Sequence, residues 1–229
     1  AGRANLIKVI DMKNQTEVLL RLMILILSIS LCSKLLSQNR QLTDSLRNEL
    51  SAADYDTNKV KLFIEIGELY RNSVPDTAFY YYHEALEVAE NIKSRKFIAQ
   101  TCIVIGANLE KNGSTDSALV YLEKALRISN EIGDKEKIST SLMNLGIVYH
   151  DQGSYDKAIE YYQKSLETAE EINFKKGISR SLNNLGRAYF DQGSYEKSID
   201  SYLESAKMHE ELGDLRNLAA CYNNIGLVH

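Results

Sequence analysis

Proline is nearly absent: the 229-residue chain holds one, Pro75. A β-rich or loop-rich protein needs turn residues every few positions, so this scarcity argues against both. Tryptophan is missing altogether, and three cysteines (Cys32, Cys102 and Cys221) are too few for a disulfide framework. Positive charge is not in excess either. Lys and Arg number 27 against 31 Asp and Glu, a formal net charge of −4, and no basic block interrupts the chain. Binding to a nucleic-acid phosphate backbone is therefore not expected. What remains is plentiful in tyrosine (14) and glycine (12), with 44% apolar and 25% charged residues, the balance of a soluble globular protein.

Long hydrophobic runs are also lacking. The apolar stretch Leu22 to Cys32 is eleven residues, well short of the roughly 20 needed to span a bilayer as a helix. Residues 1–11 precede Met12-Lys13, which reads as the true start, so they are taken as upstream or non-native. From Met12, a polar segment with Lys13 and Arg21, the apolar run, and then Ser33 to Gln38 follow the order of a secretory signal peptide. Residues 12–37 are expected to be such a signal, cleaved after Ser37, or an uncleaved membrane anchor. Membrane contact is expected only through residues 18–36, if uncleaved. An exported (periplasmic) or membrane-anchored location follows, a cytoplasmic one fitting less well. Residues 38–56 read as an N-terminal helix.

Beyond residue 40 the chain repeats itself. Residues 141–172 align without gaps to residues 181–212, an offset of 40. The same step relates Gly106, Gly146, Gly186 and Gly226, and also Gly113, Gly153 and Gly193. Gly133 and Gly213 lie two steps apart with Asn173 between them, and Gly67 precedes Gly106 by 39. Only Gly2 and Gly177 stand off this lattice. Each period reads as two helices. Leu142, Leu145, Val148 and Tyr149 recur at helical spacing, and Ala158, Tyr162, Leu166 and Ala169 form a second stripe. Between them, Gly153 is suited to a left-handed helix end and Ser154 to capping the next helix. Asn173 tolerates the same positive φ. Gly146 lies inside the first helix, where it costs about 1 kcal/mol relative to Ala. A cost repeated at every period implies close approach of the second helix.

These residues carry a resemblance. Leu145-Gly146-x-x-Tyr149 and Ala158-x-x-x-Tyr162 resemble the tetratricopeptide repeat. The same slots hold Ile66-Gly67-x-x-Tyr70, Ile105-Gly106-x-x-Leu109, Leu185-Gly186-x-x-Tyr189 and Ile225-Gly226, with Ala78, Ala118, Ala158 and Ser198 in the small position. The usual repeat has 34 residues and a terminal proline. This chain has 40 and lacks that proline, so it is similar to the long-helix subtype of kinesin light chain and of exported bacterial signalling proteins. The resemblance implies an all-α fold, a right-handed α-solenoid of helix–turn–helix repeats. About four and a half are expected over residues 57–229: 57–94, 95–134, 135–174, 175–214 and an incomplete 215–229. Ile225, Leu227 and Val228 are not the polar cap that a solenoid end needs, so the chain is expected to be a fragment.

Catalytic chemistry finds no footing. His83, His150, His209 and His229 have no metal-ligand spacing, and no cofactor or metal is expected. His150, at a helix end, reads as solvated or capping. Cys102 and Cys221 occupy small apolar slots and read as buried. The Gly-Ser pairs at 113–114, 153–154 and 193–194 are turns, because no GxxxxGK[ST] accompanies them. Tyr80, Tyr81, Tyr82, Tyr161 and Tyr162 read as packing, one ring of each run in the core.

By resemblance, the first helix of each pair lines a concave groove. The positions implied are Met143 and Asn144 in the third repeat, Arg180, Asn183, Asn184 and Arg187 in the fourth, and Asn223 in the fifth. Asparagine offers both a donor and an acceptor to an extended peptide backbone. Arg180 and Arg187 suit a carboxylate, although the lysine-rich chaperone clamp is lacking. The alternative is that the asparagines bond between helices and the arginines are solvated. The function implied is a non-enzymatic scaffold for a protein or peptide segment, the exported sensory or interaction part of a bacterial signalling protein. The alternative is the regulatory region of a larger membrane-anchored histidine kinase, cyclase or DNA-binding regulator.

Overall fold

The computed structural model describes residues 41–54 and 56–228. The expectations for residues 1–11 and 12–37 lie outside them. The described residues fall into two units, one ending at Ser51 and one starting at Ala52. Residues 41–52 are helical (α1). Among the described residues no helix is long and apolar enough to cross a membrane.

The larger unit is built from α2 (Thr57–Tyr70), α3 (Pro75–Asn91), α4 (Arg95–Lys111), α5 (Thr115–Ile132), α6 (Lys135–Asp151), α7 (Tyr155–Glu171), α8 (Lys175–Asp191), α9 (Tyr195–Glu211) and α10 (Leu215–Val228). No strand occurs among the described residues. α4, α6 and α8 each pack on the helix that follows, on the one that precedes and on the neighbouring even-numbered helices, while α2 packs on α3 and α4 and α10 on α9 and α8. The pairs stack as a right-handed α-solenoid.

One contact recurs through the stack. A Cβ built on Gly146 would lie 2.5 Å from Tyr162 Cε1, and one on Gly186 would lie 2.8 Å from Tyr202 Cδ1. Gly106 meets Leu122 Cγ at 2.6 Å in the same sense, and Gly67 meets Tyr82. These separations are well inside van der Waals contact. Absence of a side chain on the first helix is what seats the large side chain of the second. Ala78, Ala118, Ala158 and Ser198, one turn earlier on the second helices, are fully buried and keep the backbones close. Ser198 satisfies its hydroxyl by donating to the Gly186 carbonyl at 2.8 Å. Gly177, off the lattice, is also closely packed, against Phe174 and Ala169.

Polar groups deepen the packing in the later repeats. Ser139 Oγ donates to the Ser165 carbonyl (2.9 Å), and Ser165 Oγ returns the bond to the Ser139 carbonyl (2.8 Å). Ser205 Oγ bonds the Ser179 carbonyl at 2.8 Å, and Cys221 lies 3.4 Å from Ser205. One repeat earlier the same places hold buried Ala99 and Ala125. Cys102 and Cys221 are both buried and unpaired, and burial pushes the Cys102 thiol up to about 11. Outside, three of the pairs are tied at their open end by an ion pair: Arg95 with Glu131, Lys135 with Glu171 (2.6 Å), Lys175 with Glu211 (2.9 Å). Such exposed pairs contribute little, because solvent and salt screen them.

The turns follow the lattice with three differences. Gly153 N–H donates to the His150 carbonyl and Ser154 N–H to the Tyr149 carbonyl, and Gly113-Ser114 and Gly193-Ser194 close their helices alike. This double bond pattern needs a left-handed residue, and Gly153 has φ 73°. The first difference is Ser154, which occupies the N-cap position without a capping hydrogen bond. At ψ 65° its short side chain does not reach the N–H groups ahead, whereas the longer Asp134 carboxylate bonds Lys137 N. The second is Lys93, which takes φ 55° where the later repeats place Gly133, Asn173 and Gly213. The third is the residue type at Pro75, the first residue of α3, where the later second helices begin with Thr115, Tyr155 and Tyr195. A missing N–H is harmless there, and the short α2–α3 turn closes through Ser73 and Val74 N–H to the Tyr70 carbonyl.

If the glycine contact sets the stack, Gly146→Ala should lose about 1–3 kcal/mol by overpacking, despite the higher helix propensity of Ala. Gly226, whose Cβ would meet nothing within 4 Å, should gain up to about 1 kcal/mol on the same change. Thermal melts of both variants check this. A Gly146→Ala protein as stable as wild type would contradict it.

Candidate functional site

Even-numbered helices supply the concave side. Met143 and Ile147 project from α6, Arg180, Asn183 and Asn184 from α8, and Asn217 and Ala220 from α10. Together with Arg71 beyond the end of α2 and His209 of α9 they line one concavity of about 420 Å³. Four of the residues singled out in the sequence, Met143, Arg180, Asn183 and Asn184, are thus brought together. Helical spacing does this: Arg180, Asn183 and Asn184 stand three and four residues apart on one face of α8. Met143 forms the buried floor. Asn183 also points its amide at Cys221 Sγ, 3.4 Å away. Asn184 makes no side-chain hydrogen bond among the described residues and leaves its amide open to the concavity.

The other three stand elsewhere. Asn144 donates back to the Thr140 carbonyl of its own helix at 2.8 Å. Asn223 is exposed outside the concavity. Arg187 lines a separate hollow of about 220 Å³ with Phe190, Asp191, Tyr202, Asn224 and Leu227. Its guanidinium lies 3.3 Å from Asp151 Oδ1 of the preceding repeat, so this exposed side chain is paired.

That pair belongs to a polar network across three repeats. His150 is buried, at 6% exposure, with Nδ1 3.2 Å from Asp151 and Nε2 2.8 Å from Asp191. The expectation of a solvated or capping histidine is therefore corrected: α8 carries Asp191 across to meet the ring. Glu110 hydrogen-bonds Asp151, and burial, that bond and the neighbouring negative charge push its carboxyl up to about 7. Asp151 moves the other way. Burial opposes its ionisation, but hydrogen bonds from Glu110 and His150 and the charge of Arg187 outweigh it and hold its carboxyl below the usual range. Among the described residues no cluster of three or more His, Cys, Asp or Glu is arranged to hold a metal.

Sequence reasoning missed Arg71, His209 and Asn217, and it missed Lys176 and Asp214 in an adjoining hollow of about 270 Å³ that shares Arg180, His209 and Asn217. Only the curvature of the stack brings the α2–α3 turn within reach of α8 and α10. His209 had a partial signal, since it falls on the buried stripe of α9 with Tyr202 and Ala206.

Glu110 gives the network a pH signature. The group ionises near 4.5 when unfolded and near 7 when folded. The unfolded chain therefore holds fewer protons within that window, and stability falls as pH rises through it. Asp151, held below 3.8, does not titrate there. Glu110→Gln should remove the decline, gaining on wild type in melts at about pH 8 relative to about pH 5. An offset that is constant with pH would contradict the assignment.

The family model of the tetratricopeptide repeat matches residues 97–171 and 177–229. Among solved structures, BtubC (BKLC) from P. vanneervenii is similar at a TM-score of 0.67 and 20% identity, covering 84% of this chain and 80% of its own. A Rap protein complexed with Competence and Sporulation Factor gives a TM-score of 0.69 at 19% identity, covering 84% of this chain and 60% of its own. Aspartyl phosphate phosphatase F from Bacillus subtilis gives 0.68 at 17% identity, over 75% of this chain and 45% of its own. The chain thus spans less than two thirds of the last two proteins. No curated protein sequence matches it. At such identities the structural likeness is one of fold. The family model, however, covers more than half of the chain, and the repeated glycine-to-aromatic contact of paired helices agrees with it: the chain belongs to the tetratricopeptide repeat family.

Proposed function

We propose that this chain is a non-enzymatic scaffold that holds an extended peptide or protein segment along its concave face. The observation that carries this reading is the concavity between α6, α8 and α10. It combines an apolar floor (Met143, Ile147) with asparagine and arginine side chains from successive turns of one helix. Asn184 has no side-chain partner among the described residues, and an amide can satisfy the donor and the acceptor of one extended residue. The Rap protein of similar fold, solved with Competence and Sporulation Factor, supports a binding role for such a stack. The signal-like order of residues 12–37 supports export or anchoring. The scaffold then acts outside the cytoplasm or at the membrane, as the sensory or interaction part of a bacterial signalling protein.

A reporter fused after residue 45 tests location: activity confined to a periplasmic reporter is expected, and activity in a cytosolic one would sink export. For the groove, the full chain is applied to an array of immobilised peptides of random sequence. Ala220, exposed at the wall of the concavity, is changed to Trp to fill it. Loss of about tenfold or more in affinity, ~1.4 kcal/mol, is expected with an unchanged melting temperature. Equal capture by Ala220→Trp would exclude this groove.

A further inference from the structure

One slot near the C-terminal end of the first helices carries a proton donor in two successive repeats. Glu110 of α4 and His150 of α6 occupy it one period apart, and each bonds the aspartate that follows its own position by 41 residues. Glu110 thus meets Asp151 at the end of α6. His150 Nε2 meets Asp191 at the end of α8, at 2.8 Å.

Both donors lose a bond when they lose a proton. A carboxyl group donates only while protonated. Asp151 Oδ1 lies 3.2 Å from His150 Nδ1, so both ring nitrogens face carboxylates, and only the doubly protonated imidazole donates from both. Burial of His150 keeps water from replacing a bond that is lost. Asp151 is the shared acceptor, since Arg187 also reaches it, at 3.3 Å. With both protons in place the charges balance: Arg187 and the imidazolium stand against Asp151 and Asp191. With both removed, Arg187 alone faces three carboxylates on three helices. Around the cluster, Lys111 and Tyr162 bear on Glu110, Tyr155 lies against the His150 ring, and Tyr202 faces Asp191. Lys111 is bonded to Asn72. Burial pushes the phenols of Tyr162 and Tyr202 up, so neither adds charge near neutrality.

We propose that this cluster is a proton-operated joint, in which α4, α6 and α8 are drawn together at their C-terminal ends while Glu110 and His150 are protonated and spread when they are not. Glu110 serves the contact of α4 with α6, and His150 that of α6 with α8. The joined state holds protons that the spread state releases, so it is favoured as pH falls and lost as pH rises. That range includes the Glu110 value of about 7. Because α6 and α8 also wall the concavity, its width follows pH. The joint itself stands independently of what enters the concavity.

Spin labels on non-natural residues at Asp116 and Glu196, exposed beside the joint at the starts of α5 and α9, report the spread of the ends in the full chain. Labels at Lys96 and Lys176, exposed at the starts of α4 and α8, report the opposite edge. Between about pH 5 and about pH 9, the first separation should lengthen by about 1–2 Å for each of the two contacts, and the second should not change. In nitrogen NMR spectra the His150 ring should pass from two N–H groups to one over the same range. The double variant Glu110→Gln/His150→Gln should remove the lengthening. A wild-type separation indifferent to pH overturns the joint, whether or not the variant folds. So does an equal change at both edges, a lengthening that persists in the folded variant, or a His150 ring with one N–H at the acid end. None of these readouts involves a ligand, so their failure leaves the groove reading untouched.

Discussion

Everything in the solenoid depends on one contact, a glycine of the first helix receiving a large side chain of the second. Gly67, Gly106, Gly146 and Gly186 each sit where a Cβ would overlap Tyr82, Leu122, Tyr162 or Tyr202. The contact has an energetic logic of opposed terms. Glycine weakens the helix locally by about 1 kcal/mol, and burying an aromatic ring contributes about 1.5–3 kcal/mol. Repetition of that exchange holds the helices of each full pair close. The buried alanines and serines, the serine-to-carbonyl bonds and the open-end ion pairs all act on a geometry this contact has already defined.

Curvature then decides which residues meet. Because every pair repeats, the even-numbered helices face one another along the inner side, and residues far apart in the chain meet there. The concavity reaches from Arg71 to Ala220. Polar groups on that side divide into two sets. Glu110, His150, Asp151, Arg187 and Asp191 are bound to each other and stitch successive repeats together. Arg71, Lys176, Arg180 and Asn184 are less committed and face the concavities. The first set serves the wall of the groove, and the second is available to what enters it.

The fold was largely legible in the residues, because its constraint is local and periodic. Glycines at a step of 40 residues, small-to-aromatic spacing and one proline define helix pairs without reference to anything distant. The site was only half legible. Arg180, Asn183 and Asn184 share a helix face, and periodicity alone puts them together. The partner of Arg187 was not legible: Asp151 lies 36 residues earlier, and only the stacking of α6 on α8 brings the two into contact. The burial of His150 has the same origin. Arg71 and His209 join the concavity through curvature, a property of the whole stack that no single repeat encodes. Backbone details were hidden for a different reason. Lys93 adopts a left-handed φ because its turn is imposed by the repeats around it, and a lysine gives no sign of that.

Site-specific photo-crosslinking tests the central claim most directly. A photoreactive residue at Asn184 on the concave face, or at Val120, exposed on the outer helix α5, is irradiated with a peptide retained on the array. The account predicts a crosslink at position 184 and none at position 120. A crosslink at position 120 with none at 184 would contradict it.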